Sequence, residues 1–260
     1  MGGAGVIRPE RLRVWDDHGY VGGGVSGARH VLAENGNEYI VKGPSLSPHE
    51  PYIGANEFIA AMLGRALGLP VLDFVLVDLC GNTLFASSWM QKGTWDPAIT
   101  EHTFQQCENR DRVYDLVVFD AWVSNGDRHD QNLIVRRQRR PGGQDRLFLL
   151  LNDHSRCLIQ PNQTPADLLA LRNSTPERYI MLPFIRDAIV NPGALGDAVA
   201  AVEGLGADTI RTCVRLTPEE FLPVAERGLV EDFLIEMRKV LRQLFNASSN
   251  AFTALQGDTI

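Results

Sequence analysis

The chain has 260 residues, of which 44% are hydrophobic and 22% charged, and its formal net charge is -7. This composition is typical of a globular protein long enough to form one large domain or two lobes. The negative charge argues against an extended nucleic-acid surface, and no apolar run approaches the roughly 20 residues of a membrane span. We therefore expect no nucleic-acid or membrane partner. Because the first residues lack the apolar centre of a secretory signal, we expect a cytoplasmic location.

Neither the cysteines nor the local run of arginines indicates a functional site. The four cysteines are far apart in the sequence and form no CxxC pair, so a disulfide framework or zinc finger is not expected. Four arginines between residues 136 and 140 form a local basic patch. In an acidic chain, such a patch at a turn is more often solvated than functional.

A glycine-rich stretch is the first motif that suggests phosphate binding. It matches the spacing G-x-G-x-x-G and contains Gly22, Gly23, Gly24, Ser26 and Gly27. A dinucleotide-binding loop of this kind requires a following helix, whereas this chain continues with two strand-like runs around an Asn-Gly turn. The pattern therefore predicts a glycine flap within a sheet, where backbone N–H groups can approach phosphates.

A lysine and a glutamate follow the flap at positions that favour an ion pair. Lys42 ends the second strand-like run, and Glu57 lies in what we expect to be the first turn of a helix over residues 54–67. Structural alternatives exist for both residues, because Lys42 could be solvated and Glu57 could simply favour the positive end of the helix dipole. In kinases, a Lys–Glu pair fixes the lysine against the nucleotide phosphates.

The next segments predict two further strands and a linker. Residues 71–79 and 84–90 have strand character on either side of a Cys-Gly-Asn turn, which gives a small antiparallel sheet of about five strands. If residues 90–93 link two lobes, the backbone near Ser88 faces an adenine ring. Trp89 or Met90 would then supply an apolar wall, although core packing suits either side chain equally well.

The most informative stretch places carboxylates and an amide around a hairpin. A helix ending near Ser124 leads to Asp127 on a loop, Asn132 precedes one short strand, and Asp153 follows the next. These residue types suit phosphoryl transfer, in which one carboxylate accepts a proton while an amide oxygen and a second carboxylate hold magnesium. The neighbouring His129 and His154 also permit a transition-metal cluster, but magnesium uses these oxygen ligands better.

The remainder of the chain has helical signals. Thr217 and Glu220 have the spacing of a capping box with a proline between them, which predicts a helix start at Thr217. A final long helix has a broad apolar stripe from Leu229 to Leu244, which is typical of core packing.

Together, the motifs follow the kinase order of flap, lysine, helix glutamate, catalytic loop and magnesium aspartate. The chain resembles the HipA-like kinases, a bacterial branch of the kinase fold related to the phosphatidylinositol kinases. The resemblance covers roughly the first 160 residues. It rests on GGGVSG at 22–27, YIVK at 39–42, Asn56-Glu57, GDRHDQN at 126–132 and Asn152-Asp153-His154.

The resemblance implies a two-lobed α+β kinase-like fold, with a small ATP-binding lobe over residues 1–90 and a mainly helical catalytic lobe over 91–260. It implies ATP binding by the flap and Lys42, proton acceptance by Asp127, and Mg²⁺ ligation by Asn132 and Asp153. The expected function is transfer of the γ-phosphate of ATP to a protein serine or threonine. A small-molecule or lipid-headgroup hydroxyl kinase and an inactive nucleotide-binding regulatory module are the alternatives.

The expected partners are an unidentified phosphate acceptor, either a protein or a small molecule, and an antitoxin or other regulatory protein. HipA-like kinases also resemble this chain in having a flap serine that can be modified. Phosphorylation of Ser26 would add negative charge beside the ATP phosphates and draw the flap toward Arg29. The structural alternative is that the Ser26 hydroxyl only favours a turn.

Overall fold

The computed structural model describes residues 7–21, 26–91, 93–96, 98–172, 174, 176–179, 182–248, 252, 255 and 260. The strands in this part are β1 Arg11–Tyr20, β2 Arg29–Ala33, β3 Glu38–Lys42, β4 Phe74–Leu79, β5 Asn82–Ser88, β6 Trp95–Asp96, β7 Leu133–Gln138 and β8 Arg146–Leu151. The helices are α1 Ile53–Ala66, α2 Glu101–Gln106, α3 Val113–Trp122, α4 Leu168–Leu171, α5 Pro183–Asp187, α6 Pro192–Gly204, α7 Ala207–Arg215 and α8 Arg227–Ala247. The α+β class expected from the sequence is confirmed.

The first five strands form a closed barrel in the order β1-β2-β3-β5-β4. Four of its strand pairs are antiparallel, but β1 and β4 run parallel, with Arg11 opposite Leu76. The prediction of a purely antiparallel small sheet is therefore wrong. Two register shifts in β1 break its alternation of inward and outward residues, which hides this strand from a period-2 pattern and adds the bend that closure needs.

Helix α1 lies in the interior rather than on the surface. Its residues from Ile53 to Gly64 are all buried, although the sequence predicts one apolar face. Because the helix begins at Ile53, Glu57 lies beyond the first turn, contrary to the expectation for that residue. A glutamate at this position along the helix gains little from the helix dipole, because the effect of the dipole falls off within the first turn.

The second sheet carries the hairpin predicted around residues 132–153. Strands β7 and β8 pair antiparallel from Leu133 opposite Leu151 to Gln138 opposite Arg146, and the short β6 flanks β7. An isolated bridge joins Val71 to Leu151. This pairing places the residues on either side of the hairpin, at 132 and 152, next to each other.

No helix starts at Thr217, so that prediction is also wrong. The Thr217 hydroxyl donates to the carbonyl of Cys213 at the end of α7, and the Glu220 carboxylate accepts from Thr83 on β5. The Phe221 ring lies where a side chain at Gly54 would otherwise be. The first of these contacts, of Thr217, is local and the second, of Glu220, is with the barrel, and together they use the capping atoms. The helix begins later, at Arg227. The long C-terminal helix was expected, and its stripe packs in the core through Val230, Phe233, Leu234, Met237 and Leu241.

Two groups of buried side chains form the interior. A small cluster fills the barrel, and a larger one joins α1, α3, α6, α7 and α8 with the β7–β8 hairpin. None of the described helices has the length and apolar composition needed to cross a membrane. The hairpin thus rests on a continuous helical core, which fixes the loops at its ends.

Candidate active site

Lys42 is the centre of a buried ionic cluster. Its Nζ lies 2.6 Å from Glu57 Oε1 and 2.8 Å from Asp153 Oδ2, so that one ammonium contacts two carboxylates. The exposed fraction is 7% for Lys42 and 3% for Glu57. The structure thereby brings together a strand residue, a helix residue and a loop residue that the sequence separates by as many as 111 positions, from 42 to 153.

The charges of Lys42 and Asp153 stabilise each other against the cost of burial. Burial alone lowers the pKa of an ammonium, but the Asp153 and Glu57 carboxylates outweigh it and raise the pKa of Lys42. For Asp153, burial is likewise outweighed, and Lys42 together with hydrogen bonds from Ser155 holds its pKa well below the ordinary value. Burial raises the pKa of Glu57 despite its contact with Lys42. Asp153 therefore carries a firm negative charge at neutral pH.

The backbone around Asp153 is shaped to present this carboxylate. Asp153 has a positive φ of 56°, and its Oδ1 accepts hydrogen bonds from the backbone N–H and hydroxyl of Ser155. The backbone N–H of His154, the residue between them, donates to Glu57 Oε2 at 2.9 Å. Both carboxylates are thus oriented by the loop as well as by Lys42.

Asn56 anchors the chain that follows. Its side-chain amide donates to the carbonyls of Ser155 and Ile159, each at 2.8 Å, and its Oδ1 accepts from the Ile159 N–H. Asn56 precedes Glu57 on α1, so adjacent residues of one helix hold two points of the same loop. This role of Asn56 was not predicted from the sequence.

Arg128 organises the predicted catalytic loop. Its guanidinium forms a two-pronged ion pair with Asp120 at 3.0 Å and donates to the carbonyls of Asn132 and Asn152 at 2.7 and 2.6 Å. The planar fork of arginine suits such paired contacts. This role of Arg128 was not predicted, although a charged residue directly after Asp127 is a signal for it in the sequence.

Asp127 and Asn132 lie on the loop that Arg128 braces. The Asn132 side-chain N–H donates to the Asp127 carbonyl at 2.7 Å, which leaves the Asn132 Oδ1 as the acceptor available to a cation. Asp127 is half-buried, and within the described residues its carboxylate accepts no hydrogen bond from the protein. The described residues thus leave its carboxylate oxygens open to a hydrogen bond from an incoming group.

A cavity of about 210 Å³ opens beside Lys42 and Asp153. Of the residues proposed to contact the nucleotide, Ser26, Lys42, Ser88, Trp89 and Met90 line it. The other lining residues were not predicted to contact the nucleotide; besides Asp153, they are Val21, Ala28, Ile40, Leu72, Ser87, Trp95, Ile134 and Asn152. They come from separate segments, so only the folded chain shows that they share a surface. Asp127 and Asn132 do not line the cavity.

The flap residues are only partly described. Gly22, Gly23 and Gly24 lie outside the described residues. Gly27 has a positive φ of 58°, and a Cβ atom there would lie 2.5 Å from the Leu46 carbonyl oxygen. The Ser47 hydroxyl donates to the Ser26 carbonyl at 2.5 Å. Glycine is therefore required at position 27 for the flap to lie against the 46–47 turn.

The alternative transition-metal cluster does not form. Among the described residues, His129, His154 and Cys157 belong to no group of three converging ligands. His154 is fully buried with its ring edge against Phe119, and Cys157 donates to the Asn56 carbonyl. These side chains serve packing and loop geometry.

A family model described as HipA-like kinase matches residues 21–154, just over half of the 260-residue chain. The chain belongs to the HipA-like kinase family. It is accordingly a phosphotransferase, and the resemblance noted in its sequence is confirmed. The matched segment includes the flap, Lys42, Glu57, the Asp127 loop and Asp153. No curated protein shows significant similarity to the chain.

Solved kinase structures share the fold of this HipA-like kinase. The Helicobacter pylori proinflammatory kinase CtkA has a TM-score of 0.55 at 16% identity, over 84% of this chain and 90% of that one. The Golgi casein kinase with Mn/ADP bound has a TM-score of 0.52 at 9% identity, over 97% and 75% of the two chains. Shewanella oneidensis HipA, solved with HipB and operator DNA, matches at a TM-score of 0.47 and 13% identity over 89% and 66%. At these identities, the first two similarities support the fold alone.

Proposed function

We propose that this HipA-like kinase uses ATP and Mg²⁺ to phosphorylate the hydroxyl of a protein serine or threonine. One observation carries the proposal. A buried lysine, held by the helix glutamate Glu57 and the loop aspartate Asp153, lies at the wall of a cavity bounded by the flap and by residues 87–90. This is the arrangement that phosphoryl transfer requires, because its catalysis is mainly positioning and charge neutralisation.

The cavity suits part of a nucleotide. Its lining is apolar around Val21, Ile40 and Trp89 and charged at Lys42 and Asp153. At about 210 Å³ it is smaller than the roughly 300–1,000 Å³ of pockets that enclose whole drug-sized ligands. We therefore assign it to the base and sugar, with the phosphates extending between the flap and Lys42.

The donor set also suits magnesium, a hard cation that prefers oxygen ligands. Asp153 supplies a carboxylate that stays ionised, and Asn132 supplies an amide oxygen whose partner N–H is already used by the Asp127 carbonyl. When bound, Mg-ATP supplies the transferred phosphoryl group and neutralises part of its charge. Lys42 then contributes a fixed positive charge, Glu57 holds that charge in place, and Asp127 accepts the proton of the attacking hydroxyl.

The acceptor assignment rests on the family resemblance. Within that family the expected acceptor is a protein hydroxyl, and a small-molecule hydroxyl is the alternative of the same chemical class. An antitoxin-like or other regulatory protein partner stays a prediction, as does a division into lobes at residues 90 and 91.

A labelled-ATP transfer assay tests the proposal. The purified chain with γ-labelled ATP should label itself or a protein of a cell lysate only when Mg²⁺ is present, and acid hydrolysis should release phosphoserine or phosphothreonine. Label found only in a small acid-soluble product would replace the protein acceptor with a small molecule. If Mg²⁺ and ATP produce no labelled product of either kind, the proposed function is wrong.

A further inference from the structure

A second cluster of ligand-type side chains lies on the first three strands of the barrel. His18 of β1, His30 of β2 and Glu38 of β3 place one ligand atom each within 4.8 Å of one another. His30 and Glu38 alternate with Val31 and Tyr39, which point into the barrel, so the cluster lies on the opposite face of the sheet. It contains none of the residues assigned to ATP or magnesium.

The separations are close to those of a metal site. His30 Nε2 is 3.7 Å from Glu38 Oε2, and His18 Nε2 is 4.0 Å from Glu38 Oε1. Ligand atoms at about 2.0–2.1 Å from a tetrahedral zinc ion are roughly 3.3–3.4 Å apart, so small side-chain rotations suffice. Three protein ligands also leave the fourth position of a tetrahedral ion for water.

One nitrogen atom of the cluster is buried without a hydrogen-bond partner among the described residues. This atom is Nε2 of His30. Buried polar atoms are almost always paired, and a bound ion is one of the few explanations for an exception. His18 Nδ1 faces Asp16 Oδ2 at 3.8 Å, the outer carboxylate that commonly orients a metal-binding imidazole.

The cluster also contacts the wall of the nucleotide cavity. The centroids of the His30 and Trp89 rings lie 4.7 Å apart, and the backbone N–H of Trp89 donates to the backbone carbonyl of Glu38 at 2.9 Å. Trp89 in turn lines the cavity. An ion that fixes His30 and Glu38 would therefore fix the groups against which Trp89 rests.

We propose that His18, His30 and Glu38 bind one divalent transition-metal ion, foremost Zn²⁺, at a site separate from the Mg²⁺ ligands. Two imidazoles and a carboxylate favour such a borderline ion, whereas Mg²⁺ prefers an all-oxygen environment. All three ligands are side chains of neighbouring strands, because β2 pairs with both β1 and β3.

Calorimetric titration of the untagged full chain with Zn²⁺, without nucleotide, tests this site. We expect one Zn²⁺ per chain, and an excess of Mg²⁺ should leave the titration unchanged. His30→Ala should weaken binding by at least about 100-fold, because loss of even an outer-shell partner costs roughly 10- to 100-fold. Glu38→Gln, which preserves side-chain shape, should also weaken it and covers the case in which His30→Ala does not fold.

Two variants serve as matched controls. His49→Ala removes an exposed histidine outside the cluster, and Cys80→Ser removes the exposed thiol that is an alternative zinc ligand. Both should bind Zn²⁺ as the unaltered chain does. The absence of saturable Zn²⁺ binding would overturn the proposal, and so would equal affinities for folded Glu38→Gln and His49→Ala.

Discussion

Replacing Lys42 by methionine should destabilise the fold strongly. The substitution removes the ammonium that contacts both Glu57 and Asp153, at 2.6 and 2.8 Å, and leaves two carboxylates in a site where Lys42 and Glu57 are 7% and 3% exposed. Breaking a buried ion pair from one side costs about 3–5 kcal/mol, because a buried charge loses its compensation. For a protein of this size each kcal/mol shifts the melting temperature by about 2–4 °C, which gives a decrease of about 6–20 °C.

Thermal unfolding followed by circular dichroism measures this effect. Lys239→Met is the matched control, because Lys239 is an exposed lysine paired with Glu236 on α8 and should cost less than about 1 kcal/mol. The double variant Lys42→Met with Glu57→Gln should recover part of the loss, since one uncompensated charge is removed. If Lys42→Met melts within about 2 °C of the unaltered chain, the cluster does not stabilise the fold as argued.

Three further predictions follow from named contacts. Burial and the Arg128 charge hold the pKa of His154 well below the ordinary value of 6.5, so the unfolded chain takes up a proton that folded His154 does not. The free energy of unfolding should therefore reach its full value above pH 6.5 and decrease below it by up to about 1.4 kcal/mol per pH unit. Urea unfolding at several pH values measures this decrease, which should be smaller in His154→Gln. Arg128→Lys keeps the charge but loses the two-pronged contact with Asp120, so the free energy of unfolding should decrease by at least about 2 kcal/mol in the same assay. An unchanged free energy of unfolding would show that Arg128 does not hold the loop in place. Ser26→Asp should weaken ATP binding while Ser26→Ala preserves it, and equal affinities, with no phosphate on Ser26 by mass spectrometry after incubation with ATP, would exclude the phosphorylation switch.

The parts of the fold that the sequence predicted are those that local chemistry determines. The Asn-Gly turn between β2 and β3 and the apolar stripe of α8 depend on neighbouring residues only. The contact of Lys42 with Glu57 was expected because kinases use both residues in a known order. The structure brings these two residues together, and their roles in phosphoryl transfer stay predictions.

The parts that the sequence did not predict depend on distant residues. The parallel pairing of β1 with β4 has no local signal, because the register shifts of β1 disturb its pattern. The capping residues Thr217 and Glu220 have the right spacing, yet the Glu220 carboxylate accepts a hydrogen bond from Thr83, 137 positions away in the sequence. Arg128 is buried only because Asp120 and two loop carbonyls converge on it.

The most direct test of the proposed mechanism compares ATP affinity with phosphoryl transfer in Asp127→Asn. The substitution keeps the shape of a half-buried side chain and leaves Lys42, Glu57 and the cavity intact, so ATP and Mg²⁺ should bind with nearly unchanged affinity. Transfer should decrease by about 10²–10⁴-fold, because proton acceptance is lost. Asp130→Asn, an exposed carboxylate in the same loop, should transfer normally. Transfer by Asp127→Asn at the rate of the unaltered chain, with ATP bound equally well, would contradict the mechanism.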